Sequence, residues 1–422
     1  MRTILITFAL ALTTTLVFSQ NDFRELDRKS RDYFEKGDYN NLKKTSDIML
    51  ASGMDYYYLR LRLGIAAFRN GQYSQAVDNL SRAVRFSSLD TISRELIYYS
   101  YLLSGRKGDA DLFLSSMPAQ YRNSSLTNIM NPLVTNLFAG GTLTGFDYFS
   151  YTKNKLYYEA INYCYSFNAG LETSFLNRYK GTFMFTNLRK TGIFYSTIDS
   201  TGRNLDFSQN QLYVKLTRNL FPGWEITGFG HFAFYTEIVP SPRPFRIASK
   251  VTNKSEYSAG LGVSKKFWKL RAGANVSLSD FENSNQVRGE GYLSFLPSGN
   301  LDLYFTTGGM LQNDSNWGNT FQLNEEVGIK LSSKIWLETG LMAGNSFHYV
   351  RNEGILMNNS FIIPSTTVYC NLILMPWKKI TLNISPSYSR ITNYSWNLSS
   401  LYRDYELDLN SFGIVIKIIY NN

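Results

Sequence analysis

Residues 380–388 read ITLNISPSY. Ile380, Leu382, Ile384, Pro386 and Tyr388 share one parity; Thr381, Asn383, Ser385 and Ser387 share the other. Successive side chains of a β-strand point to opposite faces, so this stretch predicts a strand with one apolar face and one small polar face. The pattern recurs in 270–278, where Leu270, Ala272, Ala274, Val276 and Leu278 oppose Arg271, Gly273, Asn275 and Ser277. It recurs in 301–309, with Leu301, Leu303 and Phe305 against Asp302, Tyr304 and Thr306. It closes the chain, with Phe412, Ile414, Ile416, Ile418 and Tyr420 on one side. From about residue 136 to residue 422 the chain reads as half-apolar strands of about ten residues.

A soluble sandwich also alternates. Three features favour a membrane barrel instead. The polar faces are mostly Asn, Ser, Thr and Gly, as a water-filled lumen would have. Short and long connections alternate. Trp224, Trp268, Trp336 and Trp377 lie in or beside short turns, and Trp317 and Trp396 fall in longer loops, as aromatic girdles at two rims require. Short turns fall near 177–181, 221–224, 266–269, 297–300, 332–334 and 376–379. Longer loops fall near 148–158, 197–208, 238–254, 280–286, 313–318, 347–360 and 391–404. These connections give about fourteen strands, with twelve or sixteen as alternatives and NLFAGGTLTGF, the first strand, the least defined. An open sheet would leave two unpaired edges in hydrocarbon, so the first strand must pair with the last.

The front of the chain differs. Residues 1–20, MRTILITFALALTTTLVFSQ, carry Arg2, an apolar run from Ile4 to Phe18, and a Val17-Phe18-Ser19 end. That is the layout of a secretory signal peptide over 1–19. The run is shorter than the roughly 20 residues a spanning helix needs, and no later stretch reaches even 18. Over 20–130 the periodicity is helical and repeats every 34 residues. Gly37, Gly71 and Gly105 are in step, as are Phe34, Phe68 and Leu102, and Leu42, Ala76 and Ala110. Tyr39 and Tyr73 match, while Lys107 stands in the third copy; the central copy carries Leu63-Gly64, Gly71, Tyr73, Ala76, Leu80 and Ala83.

This pattern resembles the tetratricopeptide repeat in three copies, although Lys29 and Tyr98 depart from its usual residues. An unrelated array of helical hairpins is the alternative. The resemblance implies a concave face formed by Arg31, Tyr58, Ile65, Arg69 and Tyr99, where a peptide or partner protein would dock; the competing reading is that these side chains merely pack. The expected fold class is thus α + β in separate domains, a helical solenoid followed by an antiparallel transmembrane barrel.

Composition narrows the function. Aromatic residues make up 15% of the chain, a load suited to a membrane–water interface. The net charge of +10 is spread thinly, which argues against a nucleic-acid partner. Two Cys and two His give no disulfide scaffold or metal cluster. Cys164 falls on a polar face and Cys370 on an apolar one, so they should not bond to each other. Ser346 and His348 share a parity, but nothing nearby supplies an orienting acid or an oxyanion site, and His231 stands alone as a lumen or rim residue. No catalytic residue, cofactor or metal is expected.

The architecture resembles outer-membrane barrels with periplasmic tetratricopeptide repeats: YaiO-like barrels, polysaccharide-export barrels and Slam-type proteins. The terminal SFGIVIKIIYNN resembles the recognition signal of such barrels, apart from the two Asn after Tyr420, and the composition and FSQ signal end resemble Bacteroidetes-type proteins. The resemblance implies a non-enzymatic outer-membrane component of protein export or assembly, its partners being membrane lipid and a periplasmic or outer-membrane protein within an envelope complex. The alternatives are a polysaccharide export channel or porin with a periplasmic adaptor, and a plugged scaffold barrel. The inward charges identified from parity, Glu225, Arg271, Asp302 and Glu338, are sparse and mixed.

Overall fold

A computed structural model describes residues 23–117, 134–147, 157–175, 178–196, 201–239, 250–281, 284–315, 318–344, 349–351, 353, 356–358, 362–397 and 400–421. The expected signal peptide, Trp317, Ser346 and His348 lie outside them. The chain divides into a helical unit and a β unit.

The helical unit holds α1 (23–35), α2 (Tyr39–Ala51), α3 (Tyr57–Arg69), α4 (Tyr73–Phe86), α5 (Thr91–Leu103) and α6 (Lys107–Ser116). The 34-residue spacing appears as one turn built three times. Gly37, Gly71 and Gly105 each adopt φ near +70°, where any Cβ would be strained. Each turn closes alike: Gly71 N–H donates to the Phe68 carbonyl and Gln72 N–H to that of Ala67, and Gly37/Asp38 and Gly105/Arg106 repeat this pair of bonds. The spacing of glycines therefore sets three helical hairpins. Within the central one, a Cβ on Gly64 would lie 2.5 Å from Leu80, so this glycine lets α3 and α4 touch. Tyr98 departs from the repeat because it is core: it is buried beside Ala110, Leu114 and Met117. Lys29 departs because it is on the surface, paired with Glu25 at 2.7 Å.

The β unit contains β1 (Val134–Asp147), β2 (Tyr157–Phe175), β3 (Tyr179–Ser196), β4 (Thr201–Phe221), β5 (Trp224–Val239), β6 (Lys250–Lys266), β7 (Leu270–Phe281), β8 (Ser284–Phe295), β9 (Leu303–Asp314), β10 (Gly318–Ser332), β11 (Ile335–Gly344), β12 (Tyr349–Arg351), β13 (Leu356–Asn358), β14 (Ile362–Trp377), β15 (Ile380–Asn397) and β16 (Ser400–Asn421). Fourteen of these form a closed barrel; β12 and β13 pair only with each other, as a hairpin within the connection between β11 and β14. Every barrel neighbour is antiparallel, and β1 seals against β16 with Leu143 opposite Ile414 and Phe138 opposite Ile419. The even strand number brings the start of β1 and the end of β16 to the rim that carries the short turns.

The strands are longer than expected. β2, β4 and β16 run 19, 21 and 22 residues, about twice what a tilted strand needs to cross hydrocarbon. The expected loops at 197–208 and 391–404 are mostly strand: β4 begins at Thr201, and β15 and β16 stay paired out to Asn397 and Ser400. The 280–286 loop shrinks likewise, with Phe281 opposite Ser284. The physical reason is that pairing does not stop at the membrane surface, since each further pair satisfies backbone groups on both strands. Trp396, expected in a loop, is accordingly on β15 opposite Arg403.

The two faces have inverted polarity. On β16 Phe412, Ile414, Ile416, Ile418 and Tyr420 point outward and are exposed, while on other strands Gln209, His231, Ser258 and Gln312 point inward and are buried. A water-soluble fold does the opposite. This is the polarity of a barrel spanning a bacterial outer membrane, whose apolar band meets lipid. Trp224 and Trp377 stand at strand ends beside short turns, and the Lys265 ammonium lies 4.9 Å from the Trp224 ring. No described helix is long and apolar enough to cross a membrane.

Candidate functional site: the barrel lumen and a helical face

Parity decides what lines the lumen. Five inward aromatic rings face a glycine directly across the ladder: Phe138–Gly170, Phe229–Gly260, Tyr292–Gly273, Tyr304–Gly328 and Tyr369–Gly340. A Cβ on any of these glycines would lie 2.2–2.4 Å from the opposing ring. Each ring thus lies along the wall in the space the missing side chain leaves. That flattens the wall and fixes register.

The tyrosine hydroxyls are then held by carboxylates. Tyr369 donates to Glu326 at 2.7 Å, Tyr304 donates to Glu338, and Asn371 donates to the other Glu338 oxygen at 2.6 Å. This makes the β9–β14 wall acidic and aromatic. The opposite wall is basic. Near the short turns Glu225 of β5 accepts Lys266 of β6 at 2.8 Å and faces Lys180 of β3 at 3.6 Å, with Arg271 of β7 on the same side. Of the inward charges expected from sequence, Glu225, Arg271 and Glu338 line the wall. Asp302 keeps the inward parity of β9 but lies just before the strand, at the rim, half exposed and paired with Lys330 at 3.3 Å. Lys180, Lys215, Lys266, Arg288, Glu290 and Glu326 also point inward. Extending the alternation through each strand would have found them.

Between β3 and β7 inward side chains pack against one another on the wall. Tyr213, Phe229, Ala233 and Phe281 form an inward cluster with Met184 against it. His231 is fully buried there, 3.1 Å from the Gln211 side-chain oxygen and with its ring 5.5 Å from that of Tyr213. His231 is therefore a lumen residue, as the sequence suggested, engaged in packing. The connection between β11 and β14 reaches the same place. The Tyr213 hydroxyl donates to the Glu353 carbonyl at 2.8 Å, and Lys215 donates to the Glu353 carboxylate at 3.2 Å.

On the helical unit Arg31, Tyr58 and Arg69 are exposed, while Ile65 and Tyr99 are half-buried. Arg31 pairs with Glu35 at 2.8 Å, Arg69 donates to the Tyr39 hydroxyl at 2.9 Å, and Tyr58 and Tyr99 make edge contacts with Tyr57 and Tyr98. Tyr58, Ile65 and Arg69 share α3; Arg31 and Tyr99 come from α1 and α5. Both cysteines are free, Cys164 inward on β2 and Cys370 outward on β14. Among the described residues no group of three or more His, Cys, Asp or Glu is placed to hold a metal.

No protein-family model matches the chain, and no curated protein does. Solved structures do resemble it. A mutant of the TodX monoaromatic hydrocarbon channel aligns over 71% of this chain and 94% of its own, with 8% identity and a TM-score of 0.45. A FadL homologue of Pseudomonas aeruginosa aligns over 68% and 90%, with 9% identity and a TM-score of 0.42. A bacterial polysaccharide outer membrane secretin aligns over 68% and 98%, with 10% identity and a TM-score of 0.36. At such identities the likeness is one of barrel outline, and the chemistry of this lumen rests on its own residues.

Proposed function

We propose that this chain is a non-enzymatic transport component of the bacterial outer membrane that serves the export or assembly of other proteins. The barrel anchors it and supplies a route that is closed at rest. The helical repeats, in the periplasm, dock a partner or client through the face carrying Arg31, Tyr58, Ile65, Arg69 and Tyr99. The observation that supports a resting closure is the seat of Glu353: a residue of the connection between β11 and β14 is held on the inner wall by Tyr213 and Lys215, beside the buried His231. A separate helical unit supports the docking role, since a simple pore needs none.

The test is a deletion strain examined by surface proteomics, with purification of the intact protein in mild detergent. Loss of particular surface or secreted proteins, with an envelope protein co-purifying, is the expected result. An unchanged surface proteome would sink the reading.

A second reading, a polysaccharide export channel, is favoured by one observation. Tyr292, Tyr304 and Tyr369 with Glu326, Glu338 and Asn371 give the lumen an aromatic and acidic wall of the sort sugars slide along. Loss of surface polysaccharide with an intact surface proteome would select it.

A further inference from the structure

Glu353 is the only residue other than glycine with a positive φ, +55°, among the described residues. A side chain in that region is strained by about 1 kcal/mol or more, so neighbouring contacts must hold it there. Its carboxylate and its carbonyl bond to residues 138 and 140 positions away, Lys215 and Tyr213 of β4. Lys215 is six residues short of Phe221, the short-turn end of β4, so the contact lies deep in the lumen. Glu353, which lies between β12 and β13 in sequence, therefore sits well down the barrel with its carboxylate on a lysine.

The receiving site is a pair of donors. The Tyr213 O–H meets the backbone carbonyl of Glu353 at 2.8 Å and the Lys215 ammonium meets its carboxylate at 3.2 Å, so two inward donors two residues apart on β4, one of them charged, are within reach of one incoming group, and the charged one already holds a carboxylate. Both ends of the ion pair are about 30% exposed, at 27% and 30%, so it faces lumen water and can open. Around it cations outnumber carboxylates: Lys180, Lys266, Arg271 and Arg288 stand on the same side as Glu225, which pairs with two of them, as Glu256, which accepts from Tyr235, and as Glu290, beside Arg288. Glu326 and Glu338 on the far wall would drive an anion toward β4.

We propose that Tyr213 and Lys215 form an anion subsite for whatever the barrel passes, and that Glu353 occupies it at rest as a built-in competitor. The ligand it takes is an oxyanion-bearing group, a carboxylate, phosphate or sulfate on a solute or chain segment. This names a cargo class and rests on the barrel being a conduit.

The experiment uses the full-length protein in planar bilayers under a KCl gradient, with inorganic phosphate as probe. Wild type should be mostly closed, and millimolar phosphate should raise its open probability. Glu353→Gln, which keeps the shape and removes the charge, should raise open probability roughly tenfold and give a reversal potential on the chloride side. Phosphate should then slow its current, and adding Lys215→Met should abolish both the block and the chloride preference. A variant lacking Tyr349–Asn358 separates the failures. If it conducts, but Glu353→Gln stays closed, prefers potassium or ignores phosphate, the anion subsite is wrong and the conduit stands. If it does not conduct while folding normally, the conduit reading and the subsite fall together.

Discussion

Single residues in this chain act mainly through what faces them. In the helical unit Asp27 of α1 accepts hydrogen bonds from the Tyr56 hydroxyl and, at 2.5 Å, from Arg62 of α3, tying the first hairpin to the second. Burial raises the Asp27 pKa, but the bonds from Tyr56 and Arg62 and the arginine charge outweigh it and hold the carboxyl below 3.8. A depressed carboxylate contributes stability that is complete above its unfolded value and is lost as pH falls through the folded one. Asp27→Asn should therefore weaken the α1–α3 contact by about 1–2 kcal/mol at neutral pH. The difference from wild type should vanish in strong acid, and hydrogen exchange of α1 and α3 amides measures both. In the barrel, Gly340→Ala puts a Cβ 2.3 Å from the Tyr369 ring. The ring must leave the wall and give up Glu326, costing about 1–3 kcal/mol in urea unfolding from vesicles.

At the scale of one element, β16 shows what alternation decides. Ile416 points to lipid and Val415 to the lumen, one residue apart. Ile416→Arg should destabilise the folded barrel by about 2–4 kcal/mol near mid-membrane, whereas Val415→Arg should cost far less because its charge meets water. Urea titration of folding into vesicles distinguishes them, and equal costs would mean that the faces are misassigned. Strand length was less legible than strand face. Alternation fades in the polar stretches at 197–208 and 391–404, which therefore read as loops, yet ladder pairing extends into them, to Ser196 opposite Thr201 and Asn397 opposite Ser400. In the helical unit the reverse holds: each hairpin's turn was fixed locally, by a glycine that recurs in register.

For the whole molecule the decisive contact is the seam. β1 and β16 are almost a barrel's length of sequence apart, and their pairing removes the last two edges. Deleting 400–422 should leave β1 and β15 with open edges and abolish the heat-resistant, compact gel species that folded barrels give. Survival of that species would show that the seam can close without β16. The Lys215–Glu353 contact belongs to this scale too, because it joins β4 to a connection 138 residues later.

The sequence by itself determined that the second part of the chain is an alternating, lipid-facing sheet, that its strands number about fourteen, and that the first part repeats every 34 residues. These are local facts: a period of two fixes faces, turn residues fix connections, and glycine spacing fixes hairpins. The tertiary structure alone decided which glycine each inward ring lies on, which charges meet across the lumen, and that Glu353 descends to Lys215. Those depend on register and closure. Register brings together residues far apart in the chain, and no period within a strand records which partner will face it.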